Sequence, residues 1–244
     1  MCGRYSLSTP IQALATTLSA AIDPRLISQP PRYNVAPTNI MPVLRVVDGR
    51  RWLMPARWGL VPHWAHDPSI GNSMINARSE TLCEKAAFRD SLPRRRCLVV
   101  VDGVYEWQVR GTKKVPMRIA LDDARPFTLA GLWARWRGAD VELETFTIVT
   151  MAAIDALRPL HDRMPLIIDD KDRDDWLDPD RADVDLVHLT SPRPRPELTL
   201  TEVSTRVGNV RNDDAAVLQR DVEAPSPPAT TRRRRRSALQ GTLI

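Results

Sequence analysis

Between Cys97 and Thr150 this chain is almost continuously β-forming. Candidate strands at 97–101 (CLVVV), 104–110, 115–121, 126–133 and 144–150 follow one another with hairpin-like spacing, and a further one falls at 198–204. β-Branched and aromatic residues recur in them, as a pleated, half-buried surface requires. Such a series leaves little room for the crossover helices of a parallel sheet. Helices are correspondingly few. One opens at Thr9-Pro10 and carries Ile11, Leu14 and Leu18 on one face. A second is predicted by the capping-box pattern Thr81-Leu82-Cys83-Glu84 and runs to about Asp90. Others are expected at 151–158 and, briefly, at 171–177. Residues 41–47, Asp48-Gly49 and Arg51–Met54 read as a β-hairpin. Residues 24–40, with Pro24, Pro30, Pro31 and Pro37, read as an ordered loop, and 55–78 as irregular. The expected fold class is α+β: a single domain with an antiparallel, barrel-like β-sheet core flanked by a few helices.

Composition bounds the rest. Hydrophobic residues make up 43% of the 244, enough to bury the core of one ordinary domain, expected over 1–222. No run of about 18 apolar residues is present, so no membrane-spanning helix is expected. The start, MCGRYSLSTP, lacks the apolar stretch of a secretory signal. Cys2, Cys83 and Cys97 are too few and too odd in number for a disulfide framework, which suits a reducing compartment. A cytoplasmic location is expected, nucleoid-associated if DNA is the partner, and a monomer is the default. Of the net charge of +5, residues 223–244 supply +4, through Arg232 to Arg236 against Glu223. That Pro-, Ser-, Thr- and Arg-rich stretch reads as a disordered tail, so the overall basicity says little about the body.

Four short segments bear chemistry. Cys2 becomes an N-terminus when Met1 is removed, and it then carries an amine and a thiol on one residue. Such a 1,2-aminothiol condenses with aldehydes to a Schiff base and closes to a five-membered thiazolidine. Its amine titrates near about 7.7–8.0 and its thiol near about 8.5, so both have reactive fractions around neutrality. In Ile75-Asn76-Ala77-Arg78, an amide and a guanidinium two apart share one side of an extended chain and suit a phosphate or a polarised oxygen. In Val104-Tyr105-Glu106-Trp107, a carboxylate sits between aromatics, a setting for a general acid or base. In His161-Asp162-Arg163, an imidazole matched to proton transfer near neutrality adjoins a cation. Each segment alone also has a plainer reading: a frayed terminus, a capping loop, a glutamate on a wet strand face, a loop histidine with ordinary hydrogen bonds. His63 and His66, with Cys83 and Cys97 elsewhere, raise the thought of zinc, but no CxxC pair accompanies them, and neither metal nor cofactor is expected.

Taken together, MCGRYS at the start, PRYNVAPT at 31–38, RWGLVPHW at 57–64, INARSET at 75–81, GVYEW at 103–107, HDRMP at 161–165 and VGNVRND at 207–213 resemble the SRAP (SOS response-associated peptidase) family, whose members shield abasic sites. The resemblance runs from residue 1 to about 215, in family order. It implies loss of Met1 by self-processing and a bond between Cys2 and the open-chain aldehyde of an abasic site in single-stranded DNA. It implies Asn76 near the linkage, Glu106 in sugar-ring opening and proton movement, and His161 in Schiff-base chemistry and reversal. It places Arg4, Arg78 and Arg163 near DNA, with Trp64 and Pro37 as an apolar wall for splayed bases. Ring closure by the thiol would keep the Schiff base from β-elimination and strand cleavage. The arginines at 232–236 fall outside the shared motifs. They either add salt-dependent, sequence-blind DNA affinity or form a solvated tail.

Three other classes compete. An N-terminal-nucleophile amidohydrolase accounts for Cys2 but not for the Arg and Trp residues of the other motifs, and turnover of small amides distinguishes it. A non-catalytic single-stranded DNA-binding module predicts binding that denaturant reverses and that ignores Cys2. A peptidase acting on other proteins fits the family name, although Met1–Cys2 is the only peptide bond the chemistry needs broken.

Overall fold

The computed structural model describes residues 2–181, 189–191 and 193–221; the Arg-rich stretch 223–244 expected to be a tail lies outside them, as does Val222 at the expected domain end. Three residues beyond Cys2 the chain enters β1 (Tyr5–Leu7). The helix α1 (Ile11–Leu18) follows and buries Ile11, Leu14 and Leu18, with Pro10 at its cap rather than inside its first turn. Ser19 ends it in the left-handed conformation. After β2 (Ala21–Ile22), the proline-rich stretch is not wholly loop, because β3 (Arg32–Val35) pairs with β1. The expected hairpin is β4 (Ile40–Val47) and β5 (Arg50–Trp58), with Asp48 and Gly49 both at positive φ in its turn.

Two expected helices give way. Between β6 (Asn76–Arg78) and the single-turn α2 (Ala86–Arg89) there is only a 3-10 turn, Ser79–Thr81. The Thr81 hydroxyl is buried without a hydrogen-bond partner, so the capping box of the sequence pattern does not form. Strands then run as expected: β7 (Arg96–Val101), β8 (Gly103–Arg110), β9 (Lys113–Leu121) and β10 (Phe127–Arg137). The next, β11 (Glu142–Ala152), continues where a helix at 151–158 was expected. Its end is held extended by β12 (Arg163–Pro165), with Met151 opposite Met164, and residues 155–160 form turns instead. β13 (Ile167–Ile168), the short α3 (Arg173–Leu177) and β14 (Leu198–Glu202) complete the elements.

One sheet has the order β14-β9-β8-β1-β3. In the other, β11, β10, β7, β4 and β5 pair in succession, antiparallel throughout. A parallel pairing of β5 with β11 (Arg57 opposite Thr145, Trp58 opposite Phe146) closes these five strands into a barrel. The fold is thus the expected α+β domain with an antiparallel, barrel-like core. Closure removes free sheet edges and lets both faces of a strand be buried. All six residues of β7 are buried, and so is the Trp58 side chain. Trp58 stacks on Phe146 (centroids 6.2 Å, planes at 10°) and touches Tyr5 of β1 (5.2 Å), tying the barrel seam to the N-terminal strand. Among the described residues no helix is long and apolar enough to cross a membrane.

The chain leaving β5 depends on two glycines pressed together. Gly59 has φ +112, and a Cβ there would lie 2.4 Å from the Gly71 carbonyl oxygen. Gly111, in the β8–β9 turn, also has positive φ (+61), but its Cβ would meet nothing within 4 Å. Gly59→Ala is therefore expected to destabilise the protein by about 2–4 kcal/mol and Gly111→Ala by only about 1 kcal/mol. Urea midpoints of the two variants check this, and similar shifts would contradict it.

Candidate active site at the buried N-terminus

The N-terminal segment lies in the fold as a strand, not as a frayed end. Tyr5 pairs with Val104 and Ser6 with Gly103, and the Tyr105 N–H donates to the Arg4 carbonyl at 3.0 Å. Continuing that register carries Gly3 and Cys2 alongside Glu106 and Trp107. Cys2 is 1% exposed. Its carbonyl accepts a 2.8 Å hydrogen bond from the Asn76 side-chain amide. The Asn76 side-chain oxygen, Oδ1, is buried and accepts no hydrogen bond among the described residues. Glu106 is 8% exposed and acts electrostatically on the Cys2 sulfur. Cys2, Asn76 and Glu106 are thus brought together from β6, β8 and the segment before β1.

Burial pushes the Cys2 thiol far above its ordinary pKa, and the neighbouring Glu106 charge adds to the rise. The Tyr5 phenol, fully buried, is raised in the same way, first by burial and then by the Cys2 charge. A thiol in this setting is protonated at neutral pH, so reactivity depends on a base or an amine placed beside it.

β11 organises the remaining residues. Along one edge it pairs with β5 and then β6, with Ile148 opposite Asn76 and Thr150 opposite Arg78. Along the other it pairs with β10 and then β12, with Ala152 opposite Arg163. In β6 Ala77 is buried while Asn76 and Arg78 share the other side, as their spacing predicted, and Arg78 is exposed. His161 stands just before β12, with its side chain 33% exposed. Its Nδ1 lies 2.9 Å from the Arg163 N–H and 2.6 Å from Asp162 Oδ1. One nitrogen cannot serve both at once: without a hydrogen it accepts from Arg163, and carrying one it donates to Asp162.

Two arginines are more occupied than their sequence positions suggest. Arg4 Nη1 donates to Asn34 Oδ1 and to the Val207 carbonyl, both at 2.8 Å. Arg163 makes a two-pronged pair with Glu80, at 2.6 and 2.9 Å, and also reaches the Thr150 carbonyl. Trp64 is 46% exposed, and Pro37 is half-buried in the turn that returns the Thr38 N–H to the Trp58 carbonyl. His63 and His66 are exposed, and among the described residues no group of three or more His, Cys, Asp or Glu side chains is placed to hold a metal.

Asn34 and Asp213, which the motifs alone leave without a role, bind two distant segments together. The Asn34 amide donates to the carbonyls of Val207, Asn209 and Asn212. The Asp213 carboxylate accepts the backbone N–H groups of Tyr33 and Asn34 and pairs with Arg32. PRYNVAPT and VGNVRND are therefore two halves of one clamp, which holds the 207–213 segment against β3 and, through Arg4, against the segment carrying Cys2. Nothing local signals this, because the partners stand more than 170 residues apart.

The match to known proteins covers nearly all of this architecture. Residues 1–210 match the family described as SOS response associated peptidase (SRAP). The abasic site processing protein YoqW of Bacillus subtilis is 37% identical over 225 residues, 90% of this chain and 99% of its own length. Its counterpart YedK of Escherichia coli is 30% identical over 224 residues (90% and 99%), and HMCES of Xenopus tropicalis is 30% identical over 243 (83% and 71%). A crystal structure of a protein from Bacteroides thetaiotaomicron superposes with a TM-score of 0.83 at 26% identity, covering 91% of this chain and all of that one. The chain belongs to the SRAP family.

The thiols give a direct check of the site's burial. Cys83 is exposed, while Cys2 and Cys97 are buried, and Cys97 is pushed up to about 12. At pH 8 an alkylating reagent is expected to modify one thiol of the native full-length chain quickly and the other two at least about tenfold more slowly, with all three fast in denaturant. Peptide mass mapping should place the fast site at Cys83. Rapid native labelling of Cys2 would contradict its placement.

Proposed function

We propose that this protein captures abasic sites in single-stranded DNA by a covalent bond to Cys2, once hydrolysis of the Met1–Cys2 bond has freed the Cys2 amine. The observation that carries the reading is the fixing of Cys2 by Asn76 in a buried seam beside Glu106. The three relatives bear the name abasic site processing protein, and that supports the substrate.

The chemistry follows from the groups present. An abasic sugar is mostly a closed hemiacetal, and Glu106 relays the proton that the ring oxygen takes up as the ring opens to the aldehyde. The Cys2 amine attacks the aldehyde carbon, and the carbonyl oxygen leaves as water to give an iminium. His161 moves protons in this step. The Cys2 sulfur then adds to the same carbon as the C=N electron pair moves onto nitrogen, its proton is released to a neighbouring base, and a thiazolidine results. The Asn76 amide keeps the residue from rotating out of line during both attacks. Arg78, exposed and with no ion-pair or hydrogen-bond partner for its side chain among the described residues, is suited to a flanking phosphate. A buried nucleophile requires the sugar to be drawn inward. An unstacked strand permits this, with Trp64 and Pro37 as the wall for splayed bases.

Mature protein mixed with a single-stranded oligonucleotide carrying one abasic site is expected to give a band that survives denaturing electrophoresis. An intact oligonucleotide should give none. Cys2→Ala should abolish the band while leaving reversible DNA binding within about twofold. A denaturant-stable complex formed by Cys2→Ala would rule out the thiazolidine. Glu106→Gln is expected to slow capture by about 10²-fold with little change in binding, since its role is proton transfer. Equal losses in rate and affinity would make that residue structural.

A further inference from the structure

Two arginines flank the end of β11 in opposite states. Arg78 is exposed, and its side chain makes no hydrogen bond or ion pair among the described residues. The Arg163 side chain is 13% exposed, and both prongs of its guanidinium are engaged: Nη1 with one Glu80 oxygen at 2.6 Å, Nη2 with the other at 2.9 Å and with the Thr150 carbonyl at 2.7 Å. The hydrogen bond to Arg163 holds the Glu80 carboxyl below its usual range, so it stays ionised and paired at neutral pH. Its side chain is 51% exposed and has solvent to move into.

A phosphate and a carboxylate present similar paired oxygens to a guanidinium fork and compete for it. We propose that Glu80 is an electrostatic gate on DNA binding: it occupies Arg163 in the free protein, and a backbone phosphate takes the fork only by displacing it. This rests on the reading of single-stranded DNA as the ligand. The gate weakens reversible binding of any strand. Undamaged DNA, held by reversible contacts alone, is therefore released, whereas an abasic strand is retained by its covalent bond. Glu80 thus acts as a specificity determinant that never touches the reacting atoms.

Binding of an undamaged, fluorescein-labelled single-stranded oligonucleotide, followed by anisotropy at low salt, tests this on the full chain. Glu80→Gln is expected to tighten binding by about three- to tenfold. Glu84→Gln removes the same charge from an exposed neighbour. It should tighten binding by less than about twofold, because no arginine is released. In an Arg163→Ala background the effect of Glu80→Gln should fall to that of Glu84→Gln. Equal effects of the two substitutions on the native background would overturn the gate. So would weaker binding by Glu80→Gln, which would make Glu80 a support for Arg163 instead. Failure of the unmodified protein to bind the oligonucleotide at all would instead reject the DNA reading on which the gate stands.

Discussion

The parallel pairing of Trp58 with Phe146 is the contact on which the rest of the molecule depends. It closes five strands into a barrel and leaves one edge of β11 free, just beyond Phe146, for β6. The same Trp58 ring carries Tyr5, so the closure that completes the core also seats the strand leading from Cys2. Its indole N–H donates to the Ile75 carbonyl at 2.9 Å, immediately before Asn76. Packing, sheet closure and site geometry thus meet in one buried side chain. A change there would be felt in the register of β6, and through Asn76 at Cys2.

Burial of Cys2, the proposed nucleophile, has two sides. It holds the thiol from indiscriminate chemistry, since desolvation favours its protonated form. It also means that the protein must supply the protons and orientation that water would otherwise provide. Glu106 and the amide of Asn76 stand beside Cys2, and the imidazole of His161 lies across β11, its Nδ1 between the Arg163 N–H and the Asp162 carboxylate. Around this seam the cations are graded. Arg78 is open, Arg163 is closed by Glu80, and Arg4 is absorbed in the clamp with Asn34 and Val207.

What could be read in advance follows from how each element is stabilised. Long strands such as β4, β7, β10 and β11 carry their own pattern and were legible to within a few residues. The three-residue strands β1, β6 and β12 have no periodicity and exist only through their neighbours, yet they carry the site. The helix expected at 151–158 failed because pairing with β12 outweighed local preference, and the one from Thr81 failed because its cap was never made. Asn76 and Arg78 on one side of β6 were legible from their spacing. The partners of Arg163 and Arg4 were not, because Glu80 lies 83 positions from Arg163 and Val207 lies 203 from Arg4.

In the proposed capture, the Cys2 amine and thiol both bond to one aldehyde carbon. Intact-mass measurement of the adduct with an abasic oligonucleotide, before and after borohydride, tests it most directly. A thiazolidine gives one species, lighter by one water than the sum of the chain lacking Met1 and the oligonucleotide, and unchanged by the reductant. An adduct that retains Met1, or one that gains two hydrogens on reduction and so was an open imine, would contradict it.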